Sequence, residues 1–227
     1  MSQMLQGLRI LVTQSDVFMG PALCQALADH GAQVLADAHT DLSCTETVNN
    51  MVHSHGHIDV LVANLAMPAP ATPVAEVSED EWQSVFDTMV HPLPRLVKAV
   101  LPQMQARGSG KIVVMGSASA LRGMRRASSY SAARGAQLAY VQAIGVELAP
   151  LNIQVNAIAQ NFVDNPTYFP DHVKSNPRFI ERLQREVPLG RLVKAQEDAE
   201  FVAYLCSRNA DCFVGQVFPV SGGWAVR

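Results

Sequence analysis

Residues 9–37 read RILVTQSDVFMGPALCQALADHGAQVLAD, and the reading of this stretch decides the fold. An apolar run, Ile10 to Thr13, enters a short loop. An amphipathic stretch follows and stops at Gly31, and a second apolar run spans Ala32 to Ala36. Two short apolar runs joined by a helical period predict a βαβ unit. In such a unit the first turn can hold a dinucleotide pyrophosphate against a helix N-terminus. That turn ordinarily carries glycines, because a missing side chain lets backbone amides approach the phosphates. Here Gln14 and Phe18 stand in it, and Gly20 is the glycine that remains.

The same rhythm continues outward. LRILVT, AQVLA, IDVLVAN, KIVVMG, IQVNAIA and QVFPV give six candidate strands, and no position for a seventh stands out. Runs this uniformly apolar suit parallel strands covered by helices on both faces. Ser78 and Glu81 fit a capping box that opens a long helix, which Pro92 and Pro94 should kink or break. A second long helix is predicted from about Ser128 to Leu148. No composition shift or linker divides the chain. The expectation is one doubly wound, mostly parallel, Rossmann-like α/β domain over residues 1–227, with its ligand site off the carboxyl ends of the strands.

Composition narrows the function. Formal charge is 17 − 20 = −3, without a run of like charges, which argues against a nucleic-acid or anionic-membrane footprint. The four cysteines form no CxxC pair, which predicts a reducing compartment. The N-terminus lacks a basic, then apolar, leader pattern, and the most apolar window is interrupted by Asn64 and prolines, so a cytoplasmic protein without a membrane span is expected. His53, His55 and His57 alternate, but HSHGH reads as a helix end and loop with no carboxylate or cysteine in ligand spacing, and no metal is predicted.

Chemistry concentrates after KIVVMG. Ser117 follows that strand directly, and Tyr130 and Arg134 come 13 and 17 residues later. The i, i+4 spacing of the latter two puts them on one helix face. A strand-end hydroxyl then faces a phenol backed by a guanidinium. A nearby cation stabilises a phenolate, so Tyr130 is a candidate general base, with Arg134 in an electrostatic and positional role because guanidinium does not relay protons. Ser117 as a turn cap, Tyr130 as a half-buried helix residue and Arg134 as a snorkelling side chain is the plainer reading of a lone pair. Placement after a Gly-Ser strand end, in a chain with this first turn, favours the catalytic one. Arg122, Arg125 and Arg126, between Ser117 and Tyr130, read as a solvated loop face rather than a pocket rim.

Over nearly its whole length the sequence resembles the short-chain dehydrogenase/reductase family, through ILVT with Gly20, HIDVLVANLA, GKIVVMGSAS, YSAAR, VNAIA and VGQVFPVSGGW. That family uses a Ser, a Tyr, a Lys four residues after the Tyr, and an Asn on the preceding helix. Here Arg134 replaces the Lys and His91 stands where the Asn would be. The family's Asn-Asn-Ala-Gly reads Ala63-Asn64-Leu65-Ala66, and its Pro-Gly reads Gln160-Asn161. Asp37, where a ribose would be held, reads as a strand-end residue without the glycine cradle.

Lost glycines, a retained Ser and Tyr, and Arg for Lys are together similar to the halohydrin dehalogenases, cofactor-independent relatives of those reductases. The resemblance implies that Tyr130 takes the proton of a vicinal haloalcohol, Ser117 holds the oxygen, and Arg134 favours the ionised Tyr. The alkoxide then displaces halide to close an epoxide. In reverse, small anions such as azide, cyanide, nitrite or halide open an epoxide. It also implies no cofactor, a halide site at Phe18, Gln160, Asn161 and Phe162, small-molecule haloalcohol or epoxide partners, and a homotetramer. A nicotinamide-dependent reductase with an atypical turn, a non-catalytic binding protein, and a dehydratase or isomerase using the same Tyr stay open. The loops AMPAPATP and 163–177 should shape the pocket, in conformations that local pattern does not determine.

Overall fold

The computed structural model describes residues 3–226. In chain order its elements are β1 (Arg9–Thr13), α1 (Gly20–Asp29), β2 (Gln33–Asp37), α2 (Thr45–His55), β3 (Val60–Asn64), α3 (Glu79–Met89) and α4 (Pro92–Arg107). They continue with β4 (Gly110–Ser117), α5 (Ser119–Arg122), α6 (Ser128–Leu148), β5 (Ile153–Gln160), α7 (Asp171–Lys174), α8 (Pro177–Glu186), α9 (Ala195–Cys206) and β6 (Val217–Val220). The strands form one parallel sheet in the order β2-β1-β3-β4-β5-β6. Strand order reverses between β1 and β3, the place where a doubly wound sheet opens its crevice.

Period-2 alternation sorts the side chains of each strand between two helix layers. Leu11, Leu61, Val114 and Val155 pack with Val48 of α2, Val100 of α4 and Val141 of α6. Ile10, Val62, Val113 and Ile158 pack with Leu23 of α1 and Val202 of α9 on the other face. Both faces are therefore apolar, which accounts for the unbroken hydrophobic runs. Against the expected Ala32 start, β2 begins at Gln33, because Ala32 N–H still closes the end of α1 by donating to Leu27 O at 3.1 Å.

The predicted break at the prolines is present. α3 ends at Met89 and α4 starts on Pro92, where a missing N–H leaves no helical bond unmade. Half of the predicted capping box forms: Ser78 Oγ accepts from Glu81 N at 3.0 Å. The other half does not, because the Glu81 carboxylate accepts from Ser129 Oγ at 2.6 Å and ties α3 to the start of α6. α6 itself spans the predicted residues, and Gly116 lets it approach β4, since a Cβ there would lie 2.8 Å from Leu138 Cδ2. Among the described residues no helix is long and apolar enough to cross a membrane, and all four cysteines are free.

Candidate active site

The site is built where β1, β3, β4 and β5 end. At the first turn, Gln14 and Phe18 have φ of 45° and 55°, the left-handed backbone that glycine adopts without steric cost. The chain thus keeps the path of a glycine turn and adds side chains to it. Gln14 Oε1 accepts from Ala66 N at 2.9 Å, and Asn64 Nδ2 donates to the carbonyls of Gln14 and Val17 at 2.9 and 3.2 Å. These bonds close the crevice between β1 and β3. Phe18 N–H donates to Thr167 Oγ1 at 3.2 Å, while the Phe18 ring lies edge-on to Tyr168 with centroids 5.3 Å apart. The turn's volume and one of its amides are engaged by the protein. Gly20 persists for packing alone, because a Cβ there would meet Gln14 O at 2.5 Å.

Ser117 ends β4 and sits in register with Gln160, the last residue of β5. Its Oγ donates to Gln160 O at 3.2 Å and accepts from Ser119 N at 3.2 Å. Tyr130 and Arg134 lie on the buried face of α6, with the guanidinium carbon 5.1 Å from the Tyr130 ring centroid. Arg134 is fully buried. Its Nη1 donates to Leu65 O, Met115 O and Gln137 Oε1 at 2.8, 2.9 and 2.9 Å, whereas Nε and Nη2 have no acceptor. Burial opposes the charge of this guanidinium, yet the phenols of Tyr130 and Tyr168 outweigh that effect and hold its pKa above the ordinary arginine value. The arrangement is a buried cation with unused donors beside a phenol, and ionisation of that phenol would complement it.

The phenol of Tyr130 is 3.1 Å from that of Tyr168, whose O–H donates to Met67 O. Tyr130 is therefore the donor between the two. Burial is the main reason that the Tyr168 pKa lies far above the usual phenol range, so Tyr168 stays protonated at working pH.

A cavity of about 180 Å³ opens in front of these groups, comparable to a space that accommodates a benzene-sized ligand. Ser117, Tyr130, Phe18, Gln160, Asn161 and Phe162 all line it; Arg134 stands behind Tyr130. Phe162, like Phe18, is buried with a left-handed backbone, φ 53°. The Asn161 and Phe162 amides are already engaged, by Val220 O at 3.1 Å and Asn161 Oδ1 at 2.9 Å, whereas Val163 on the same wall has an N–H without an acceptor among the described residues.

The loops AMPAPATP and 163–177, expected to shape the pocket, do line it, the first through Ala69 and the second through Val163, Asn165, Tyr168 and Phe169. Tyr168, Phe169, Phe179 and Arg182 come from the 163–177 loop and α8, and Asp198 of α9 lies behind Gln160. The α8 and α9 residues lie outside that expectation, and no local pattern pointed to them. His91, set opposite the family's Asn, is outside the cavity: it pairs with Asp87 at 2.7 Å and is 43% exposed. Asp37 accepts from Thr40 at 2.7 Å, away from the cavity. Arg122 donates to Trp224 O at 2.5 Å and covers the Trp224 ring, so the expected solvated face is in part a structural contact. His53, His55 and His57 do not converge, and the described residues hold no group of three or more His, Cys, Asp or Glu able to bind a metal.

Residues 4–225 match a family model described as enoyl-(acyl carrier protein) reductase. The chain is 29% identical to human dehydrogenase/reductase SDR family member 4, over 96% of this chain and 87% of that protein. It is 30% identical to the monensin polyketide synthase putative ketoacyl reductase of Streptomyces virginiae, over 93% of this chain and 84% of that one. A solved structure described as a dehalogenation enzyme superposes with a TM-score of 0.90 at 32% identity, covering 98% of this chain and 100% of the other.

Proposed function

The chain belongs to the short-chain dehydrogenase/reductase family, and from its altered first turn we propose that it is a halohydrin dehalogenase that works without a nicotinamide cofactor. The observation that carries this reading is the closed turn. Gln14 and Phe18 bring side chains into the first turn, while Ser117 and Tyr130 line a small apolar cavity with Arg134 behind Tyr130. A reaction that fits such a site moves a proton and an anion but no hydride. The likeness to a dehalogenation enzyme supports the same reading.

In this mechanism the hydroxyl of a vicinal haloalcohol takes the place of Tyr168 as the partner of the Tyr130 phenol. Ser117 Oγ donates to the substrate oxygen. The Arg134 charge below the ring stabilises the phenolate form of Tyr130, which removes the substrate proton as general base and becomes the neutral phenol. The alkoxide attacks the adjacent carbon from behind and expels halide, giving epoxide, halide and a proton. The halide leaves into the wall formed by Phe18, Gln160, Asn161 and Phe162. With two loop amides engaged, its donors are the positive ring edges and the Val163 N–H.

The named relatives that are reductases favour a second reading, a nicotinamide-dependent reductase. Two measurements separate them. Halide release from a simple aliphatic or phenyl-substituted haloalcohol should occur in wild type and fall by about 10² to 10⁴ in Tyr130→Phe. Titration with NADH and NADPH should give no binding. Micromolar nucleotide affinity together with no halide release would replace the dehalogenase reading with the reductase one.

A further inference from the structure

Gln160 faces the cavity on one side and a carboxyl group on the other. Its Nε2 donates to Oδ2 of Asp198, a residue of α9 with no exposed surface. Around this pair the packing is apolar, with Phe18, Val163, Val193, Ala199 and Val202 in one cluster. Two polar atoms of the pair are buried without partners, Oδ1 of Asp198 and Oε1 of Gln160. Such orphans carry a cost and call for an explanation.

One change gives Oε1 a donor and leaves the amide NH₂ in need of an acceptor. If Asp198 is protonated and the Gln160 amide turns over, the acid O–H donates to Oε1, and the NH₂ group takes the outer position that Oε1 now holds. The amide edge turned away from Asp198 then changes from acceptor to donor. The negative charge behind the wall disappears in the same step. Both effects favour an anion in the cavity, and neither operates while Asp198 is ionised.

We infer that Asp198 is a proton-linked positioning residue for the anion subsite, so that a small anion binds beside Gln160 together with one proton taken up by the Asp198 carboxyl. The inference rests on the proposed reading of this cavity as an anion site. Burial pushes the Asp198 pKa up to about 7, with the Gln160 hydrogen bond opposing, which sets the exchange near neutral pH. Epoxide closure then runs with anion release and proton loss at higher pH, and ring opening with anion and proton uptake at lower pH.

Other titratable groups lie near α9, among them Tyr204 of α9 itself, whose O–H donates to Asn209 O at 3.0 Å. On packed elements they are Cys24, Asp29 and His30 of α1 and its end, Lys111 of β4, and Arg208 in the turn after α9. Asp29 accepts from Gln25, His30 pairs with Glu200, and Lys111 pairs with Asp211. On α9 and its cap, Glu197 pairs with Arg191 and bonds the Lys194 amide, and Cys206 is pushed up to about 12 by burial. Among the described residues no histidine, lysine or carboxylate lines the cavity. Tyr130, which carries the proton of the proposed reaction, also lines the cavity, and bromide titration of Tyr130→Phe separates its proton from that of Asp198.

The test is bromide titration of the full chain by calorimetry at several pH values from about 6 to about 8.5, in two buffers of different ionisation enthalpy. Bromide Kd should rise with pH, by up to about tenfold per unit, with close to one proton taken up per bromide near the upper end. Asp198→Asn, isosteric and always neutral, should flatten the profile and bind bromide about tenfold or more tightly than wild type at the alkaline end. A flat wild-type profile, an unchanged slope in Asp198→Asn, or no bromide binding at any pH overturns the inference. If Asp198→Asn fails to fold, Tyr130→Phe decides: proton uptake with bromide that persists in it supports Asp198, and uptake that disappears overturns the inference. Halide release on the same preparation keeps the two readings apart. Release with pH-independent bromide affinity removes the role of Asp198 and leaves the dehalogenase, whereas proton-linked bromide binding without release leaves Asp198 and removes the dehalogenase.

Discussion

Phe18 shows how a single side chain changes a turn without changing its path. A left-handed backbone at a non-glycine residue costs about 1 kcal/mol, and burying a phenyl ring contributes about 1.5 to 3 kcal/mol. Burial wins, so the ring stays packed in the turn. Asp198 poses the opposite balance. Its carboxyl gains no charged partner for its burial, and its pKa rises from 3.8 to about 7. Between those values the folded protein holds a proton that the unfolded chain releases, so this contribution to stability is complete below about pH 4 and is lost as pH rises through about 7. Asp198→Asn should therefore raise the unfolding free energy at pH 8 by about 2 to 4 kcal/mol and change it little at pH 4. Urea unfolding at the two pH values checks this, and an equal effect at both would show that titration is not its origin.

At the scale of elements, α6 is the part that organises the site. Gly116 lets it approach β4, Glu81 fixes its first turn, and its buried face presents Tyr130 and Arg134 together. The guanidinium also joins three elements, by donating to Leu65 after β3, Met115 in β4 and Gln137 one turn along α6. Arg134→Met should leave those acceptors unmatched and cost about 2 to 4 kcal/mol of stability as well as the activity. Arg134→Lys should restore part of the activity with an altered alkaline limb of the pH–rate profile, because a single ammonium supplies the charge without the planar fork. Thermal melts and pH–rate profiles of the two variants separate the structural from the electrostatic part. The segment after β5 contributes the opposite wall: Thr167 binds the first turn and Tyr168 caps Tyr130.

For the whole molecule, the sheet order places the closed turn and the open cavity side by side. The β1–β3 crevice is filled by Gln14 and Asn64, and the space that remains lies over β4 and β5, beside Ser117 and Gln160. A cavity of about 180 Å³ suits a small substrate and a small anion together. Microscopic reversibility then requires that an anion delivered to this space can open an epoxide, with Tyr130 returning the proton. Azide should open a terminal epoxide, and bromide should inhibit that reaction competitively with azide because both occupy one wall. Initial rates at rising bromide measure this; azide rates indifferent to high bromide would mean that no shared anion site exists.

The sequence by itself determined what depends on local order. Alternating apolar runs specified the strands, since a strand buried on both faces has no other composition. Prolines specified the break before α4, and the spacing of Ser117, Tyr130 and Arg134 specified their common position, because strand end and helix pitch are local geometry. The departure from glycine at Gln14 and Phe18 was legible for the same reason. Tertiary structure alone decided strand order, since an apolar pattern does not say which neighbour a strand takes, and β2 became an edge because α2 returns directly to β3. It alone decided the partners of the site, whose contacts cross long stretches of chain: Tyr168 reaches Tyr130 over 38 residues, Asp198 reaches Gln160 over 38, and Thr167 reaches Phe18 over 149. No periodicity carries information over such separations; packing of the layers brings those residues together.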